Sequence, residues 1–397
     1  MKLCSRDLLK ERLDALLAEP VSAAQERART AFDNEVKGFN NRFVLLGAGN
    51  MGRRILARLR QDGIEPLTFA DNQRSQWGKN IDGLDVLAPE EAAARYGHDA
   101  VFIVTIYNNS HSFPETRSQL SGLGCFKTVS VIPLRWKYHE TFLPYFRDDL
   151  PHKVLLQKEA INAAYGLWSD DRSLQEYVAQ VAWRLNGEFD VLGKPDTEGE
   201  YFPAGIIRSR PDELFVDVGA YDGDTIRKFI DRYDGKFRKA IGLEPDPQNY
   251  RKLVQFLSGI ENQLASRIEA LPLAASNRAC RLRFRDGEGL SAALSDQGSI
   301  EVECVRLDDL LRGEHPTYIK LDIEGAELDA IEGCQRVLVE ERPVLAACVY
   351  HLQDHLWKIP IAVNRITPRN QFFLRPHRPE CWDTVCYAVP AERALHS

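Results

Sequence analysis

Residues 215–230 read FVDVGAYDGDTIRKFI. An apolar run carries Asp217 near its end, Gly219 and Gly223 bracket a short loop, and a helical pattern follows. Glycines in such a strand–turn–helix let backbone N–H groups approach a ligand closely. Twenty-seven positions after Asp217, in IGLEPD, Glu244 ends a second apolar run and Pro245 stops it. In a doubly wound sheet, ligands lie at the carboxyl ends of the strands, where the strand order reverses. A carboxylate in that place can accept hydrogen bonds from both hydroxyls of a ribose.

The loop DVGAYDG is not a G-x-G-x-x-G turn. It has the D-x-G-x-x-x-G form of many S-adenosylmethionine (SAM) enzymes, whose cofactor carries a sulfonium and no pyrophosphate. Asp217, Gly219, Ala220, Gly223, Glu244 and Pro245 are therefore the expected cofactor-binding set. Asp224 reads as the N-cap of the following helix.

Outward from this loop, residues 204–397 alternate strand and helix patterns, which implies a parallel sheet with helices on both faces. In YIKLDIEGAELDAIEG, Asp322, Glu324 and Glu327 crowd the end of one strand and the start of its helix. Glu327 reads as a first-turn acid favoured by the helix dipole. Asp322 and Glu324 fall at the cleft edge, where a carboxylate can orient a hydroxyl, act as a base or hold Mg²⁺. A magnesium requirement is conceivable there but is not expected, and no metal ligand set is assigned. His351 follows a strand that should end at the same cleft, and a near-neutral imidazole suits general-base work on a hydroxyl. His351, Asp322 and Glu324 are the catalytic candidates. His355 reads as a bystander and His377 as a structural or surface histidine. ACRLRFRDG and SIEVECVRL read as a β-pair around a polar loop.

From about Val154 to Pro390 the chain resembles the FkbM family of SAM-dependent methyltransferases. The stretches that carry the resemblance are FVDVGAYDGDT, IGLEPDPQNY, VRLDDLL followed by YIKLDIEGAE, CVYHLQDHLWKIP, and FFLRPH with DTVCYAVP. The resemblance implies a class I methyltransferase fold, of the Rossmann-like α/β class. It also implies methyl transfer from SAM, usually to an oxygen of a sugar, glycan or natural product. By position, it makes Asp217, Gly219 and Glu244 cofactor contacts and puts Asp322, Glu324 and His351 on the substrate side, without fixing which is the base.

A second glycine loop lies nearer the start. In FVLLGAGNMGRRILAR, Gly47, Gly49 and Gly52 match G-x-G-x-x-G between a strand and a helix, and Asp71 ends the next strand. This is the spacing of a nucleotide site with a ribose-binding acid. Read alone it suggests an NAD-dependent oxidoreductase. The block is short for a full dinucleotide fold, and no dehydrogenase catalytic set follows it. It also resembles the Rossmann-like domains at the front of some glycan-modifying enzymes, which bind nucleotide-sugars or act as docking modules. A non-catalytic nucleotide or nucleotide-sugar binding protein is thus a further alternative.

The 397 residues imply several domains. The expected division is a helical segment over 1–38, a smaller Rossmann-like α/β domain over 39–150, a helical linker over 151–203 and the methyltransferase domain over 204–397. A net charge of −7 with no basic tail argues against a nucleic-acid binder. The start lacks the apolar region of a signal peptide, and no apolar run nears the roughly 20 residues of a membrane span. The eight cysteines form no CxxC pair, so zinc is not expected. Buried thiols in a reducing cytoplasm are the simpler reading. The expected partner is a small-molecule or saccharide substrate. The apolar spacing over residues 4–35 suggests a packing or dimerisation helix, hence a homodimer.

Overall fold

The computed structural model describes residues 5–284 and 300–395. The polar loop expected between the ACRLRFRDG and SIEVECVRL strands lies outside them.

The front sheet contains β1 (Phe43–Leu46), β2 (Thr68–Ala70), β3 (Asn80–Ile81), β4 (Leu84–Leu87), β5 (Val101–Val104) and β6 (Lys127–Ser130). Its order is β3-β4-β2-β1-β5-β6, and all neighbours are parallel except β3 with β4. β1 and β5 are buried along their whole length, as expected of strands covered on both faces. The chain runs outward from β1 on one side and returns to β5 on the other, so the strand order reverses between β1 and β5.

The rear half contains β7 (Leu214–Val218), β8 (Lys239–Leu243), β9 (Ile268–Leu271), β10 (Leu273–Ala275), β11 (Cys280–Phe284), β12 (Ile300–Val305), β13 (Tyr318–Leu321), β14 (Val344–Cys348), β15 (Gln371–Pro376) and β16 (Thr384–Val389). Seven strands form one sheet in the order β15-β16-β14-β13-β7-β8-β9. Only β16 runs against the others, pairing antiparallel with both neighbours. β10, β12 and β11 make a small second sheet. RIEALPLAAS, which reads as one strand, thus divides into β9 and β10 in different sheets. β7, β13, β14 and β16 are wholly buried.

The start of the chain is two helices, Ser5–Leu17 and Val21–Glu35, and not the single one expected. Pro20 precedes the second helix in extended conformation, the backbone proline favours. The first helix packs on the helix Asp171–Asn186; the second packs on Val131–Lys137 and Pro151–Leu155. The pattern LQEYVAQVAWRLNGEFDVL suggests a helix running past Asn186. It stops there because Gly187 takes the left-handed conformation, a common helix ending. This helix lies on β15 and so joins the N-terminal helices to the rear sheet.

Front and rear halves meet around Arg147 and the 380–382 turn. Arg147 is fully buried; its Nε donates to the Glu380 carbonyl at 2.7 Å, and its guanidinium lies 3.9 Å from the Trp382 ring centroid. The Phe113 N–H donates to the Glu380 carboxylate. Among the described residues no helix is long and apolar enough to cross a membrane.

Candidate active site

A cavity of about 460 Å³ opens where β7, β8, β13 and β14 end. Gly219 and Tyr221 line it after β7, Glu244 and Pro245 after β8, Asp322 and Glu324 after β13, and Tyr350 after β14. Asn109, from the turn after β5, lines it from the front half. Seven acidic side chains face it against three basic ones.

Glu244 is buried, 6 % exposed. Its Oε2 accepts from the Tyr221 N–H at 2.8 Å and its Oε1 from the Asp246 N–H at 2.8 Å. Burial pushes its carboxyl up to about 7, although these two N–H groups favour the charged form. The carboxylate is therefore fixed at a strand end, at the edge of the cavity.

Not all the expected cofactor set faces the cavity. Gly219, Glu244 and Pro245 line it; Asp217, Ala220 and Gly223 do not. Asp217 is fully buried and pairs with Lys320 on the adjacent β13 at 3.0 Å. Burial raises its carboxyl to about 6, with Lys320 opposing the rise. Lys320 also donates to the Gly219 carbonyl at 2.6 Å, so this pair holds the loop from beneath. Ala220 packs in the apolar core with Ile226 and Leu253. Gly223 has φ +87°, and a Cβ there would meet Phe256 Cδ1 at 2.7 Å. It occupies the N-cap position expected of Asp224, which is instead the first helical residue and lines the cavity.

Gly219 is required by a contact distant in sequence. Its φ is +84°, and a Cβ would lie 1.9 Å from the Asp322 carbonyl oxygen. The first loop thus packs backbone to backbone on the turn after β13, which sets Asp322 beside it.

The catalytic candidates come together. His351 is 2 % exposed, with Nδ1 2.8 Å from Glu327 Oε1 and Nε2 3.3 Å from Asp322 Oδ1 and 3.7 Å from Glu324 Oε2. Glu327, expected to be an ordinary first-turn acid, is fully buried, and His355 Nδ1 lies 3.1 Å from its Oε2. His355 is accordingly part of the cluster and not a bystander. Burial opposes a charge on His351, yet Glu327, Glu324 and Asp322 lift it to about 9. Burial likewise opposes the Glu327 carboxylate, and His351 and His355 hold its pKa far below the usual range. Asp322 also stays below its ordinary value: Lys320 and His351 outweigh its burial. Burial raises Glu324, which sits at φ +56° ahead of Gly325. Tyr201 donates to Asp322 Oδ2 at 2.8 Å, and the Tyr350 hydroxyl lies 3.4 Å from Oδ1. His377 is buried, its ring nitrogens 2.7 Å from the Asp196 carbonyl and 2.7 Å from the Tyr387 hydroxyl. Among the described residues no group of three or more His, Cys, Asp or Glu is arranged to hold a metal ion.

Sequence reasoning missed Tyr201, Lys320, Tyr350, His355 and Asn109. A lysine inside the apolar strand YIKL was a usable signal, because a buried ammonium demands a carboxylate partner. Asn109 offered none.

A second cavity, about 330 Å³, lies at the ends of β1, β2 and β5, where the front strand order reverses. Gly47, Gly49 and Asp71 line it; Gly52 does not, because it packs where a Cβ would lie 2.0 Å from the Gly47 carbonyl oxygen. Asp71 is already engaged: Oδ2 accepts from the Ala48 N–H at 2.9 Å and Oδ1 from the Gln73 N–H at 2.8 Å.

The rear sheet, its cleft and its acidic loop ends define an α/β methyltransferase fold. Residues 217–367 match the model of the methyltransferase FkbM domain. The solved structure of a methyltransferase FkbM from Methylobacillus flagellatus KT is similar over 97% of this chain and 99% of that one, at 25% identity and a TM-score of 0.76. Slighter likenesses are a SAM-dependent methyltransferase from Leishmania major (14% identity, 60% of this chain, 84% of that one, TM-score 0.27) and an SAH-bound methyltransferase from Podospora anserina (11%, 72%, 99%, 0.28). No curated protein matches the chain. Residues 217–367 therefore form a methyltransferase domain of the FkbM type. Hydride transfer at the front loop is not favoured.

The cavity's chemistry fits SAM. An excess of carboxylates suits a sulfonium cation, and Glu244 is fixed where ribose hydroxyls can donate to it.

Proposed function

We propose that this protein methylates a hydroxyl oxygen of a saccharide or related polyhydroxylated metabolite, with His351 as the general base. When bound, SAM supplies a methyl group already activated by its sulfonium. The protein must then align the acceptor and take one proton from it. The acceptor oxygen takes the methyl carbon, the electrons of the broken carbon–sulfur bond stay on sulfur, and the hydroxyl proton passes to His351 Nε2.

The observation that carries this reading is the buried Glu327–His351 pair. Glu327 engages Nδ1, so Nε2 faces Asp322 and Glu324, which line the cavity while His351 lies buried behind them. A carboxylate so placed sets the tautomer and supports the imidazolium once the proton arrives. Glu327 is thus a positioning residue, and Asp322 and Glu324 accept from acceptor hydroxyls.

The test offers labelled SAM with a panel of sugars, and with amine and thiol acceptors, to wild type and His351→Gln. The expected result is label in an ether product, with kcat lowered at least 100-fold in the variant and SAM affinity kept within twofold. Label on nitrogen alone, or wild-type turnover by His351→Gln, would overturn the reading.

A further inference from the structure

We infer that the front cavity anchors the acceptor, and that the acceptor is a sugar carried on a nucleoside diphosphate, its nucleotide at the GAGNMG loop and its hydroxyl in the methyl-transfer cavity. The inference rests on the methyl-transfer reading above and adds a substrate class to it.

Three observations carry it. First, Gly49 has no structural reason to be glycine. Its φ of −78° suits any residue, and a Cβ there would meet nothing within 4 Å. Gly47 and Gly52 are explained by left-handed backbone and close packing; Gly49 faces open cavity, where a side chain would occupy a ligand's space. This is the position at which the fingerprint brings backbone against a diphosphate.

Second, the two cavities share one loop. Tyr107 and Asn108 line the front cavity, and Asn109, the next residue, lines the methyl-transfer cavity. Behind this loop, Tyr107 packs on Trp382 with centroids 5.4 Å apart, and Trp382 packs on Tyr350 at 5.8 Å. Tyr350 in turn lines the methyl-transfer cavity. A molecule held in one cavity therefore needs to pass only this loop to reach the other.

Third, the charges divide as such an acceptor would require. The methyl-transfer cavity has seven acidic side chains against three basic, and all three bases are paired, Lys320 with Asp217, Lys228 with Glu200 and Arg378 with Asp383. It repels a diphosphate and suits a neutral polyol. The front cavity has Arg54 and the first N–H groups of the helix Asn50–Gln61, while its one carboxylate, Asp71, is engaged by backbone N–H groups. Anions are favoured at such a helix start.

The experiment is titration calorimetry of the full chain with UDP, GDP, UDP-glucose, GDP-mannose, NAD and, separately, SAM, on wild type and Gly49→Val. We expect one nucleoside diphosphate and its hexose conjugate to bind wild type, and Gly49→Val to weaken both at least 10-fold with SAM affinity unchanged. Labelled methyl should reach the conjugate with kcat/KM at least 100-fold above that for the free hexose. The proposal is overturned if none of the four nucleotide probes binds, if NAD binds in preference to them, if Gly49→Val leaves their binding intact, or if free hexose is methylated as efficiently. Failure of SAM to bind wild type would strike the methyl-transfer reading itself, and so is told apart from these outcomes.

Discussion

Replacing Glu327 by Gln should move the pH dependence of methyl transfer toward acid. His351 sits at about 9 against an ordinary 6.5, a proton affinity raised about 300-fold. Burial works against that rise, so the raising effect of the carboxylates around the ring exceeds it. Glu327 is the largest contributor, followed by Glu324 and Asp322 at Nε2. Gln retains an oxygen for the Nδ1 proton but removes the charge. In wild type, kcat/KM at saturating SAM should climb about tenfold per pH unit from 6.5 and level near 9. In Glu327→Gln the inflection should fall well below the wild-type one, because burial then faces only Asp322 and Glu324, and the plateau should be lower, because a weaker base takes the proton. The variant thus loses most at pH 9 and least at pH 6.5. A profile of kcat/KM from pH 6 to 10, with circular dichroism to check folding, reads this directly. A wild-type profile flat between 6.5 and 9, or inflections that coincide in the two proteins, would refute the reasoning. Stability runs the opposite way. A histidine raised on folding stabilises fully below about 6.5, and its contribution is lost as pH rises through about 9.

SAM binding should be linked to the ionisation of Glu244, which burial holds at about 7. If ribose hydroxyls donate to the carboxylate, Kd should tighten up to about tenfold per unit from pH 5 to 7 and level above, with proton release seen by calorimetry in two buffers; Glu244→Ala should weaken binding and abolish the pH dependence. Lys320→Met leaves the fully buried Asp217 without its cation and should cost roughly 3–5 kcal/mol in urea unfolding. The double variant with Asp217→Asn should recover much of that loss, and no recovery would show that the pair is not the cause. Gly219→Ala adds a Cβ 1.9 Å from the Asp322 carbonyl at φ +84° and should cost roughly 2–4 kcal/mol. An unchanged melting midpoint would mean that the loop does not pack on Asp322 as described.

Local signals in the chain were legible and contacts between distant segments were not. The strand–turn–helix at Asp217, the strand end at Glu244 and the second glycine loop are each complete within a dozen residues, and each reads correctly as an element. Their roles depend on neighbours that the sequence does not display. Asp217 reads as a cofactor ligand because the motif is local; its partner Lys320 lies over a hundred positions away and meets it through the parallel register of β7 and β13. Glu327 reads as a helix-dipole acid because that effect needs only its own helix. What buries it is β14 beside β13, which brings His351 and His355 onto the same carboxylate. Asn109 shows the limit most clearly: nothing in YNNS distinguishes it from a solvated turn, and only the docking of front on rear half turns it toward the methyl-transfer cavity. The residues that convert a generic cofactor fold into a particular enzyme are therefore those supplied across long sequence separations. On the function proposed above these are Asn109 from the front half, the two histidines after β14, and the glycine whose only evident reason is open space.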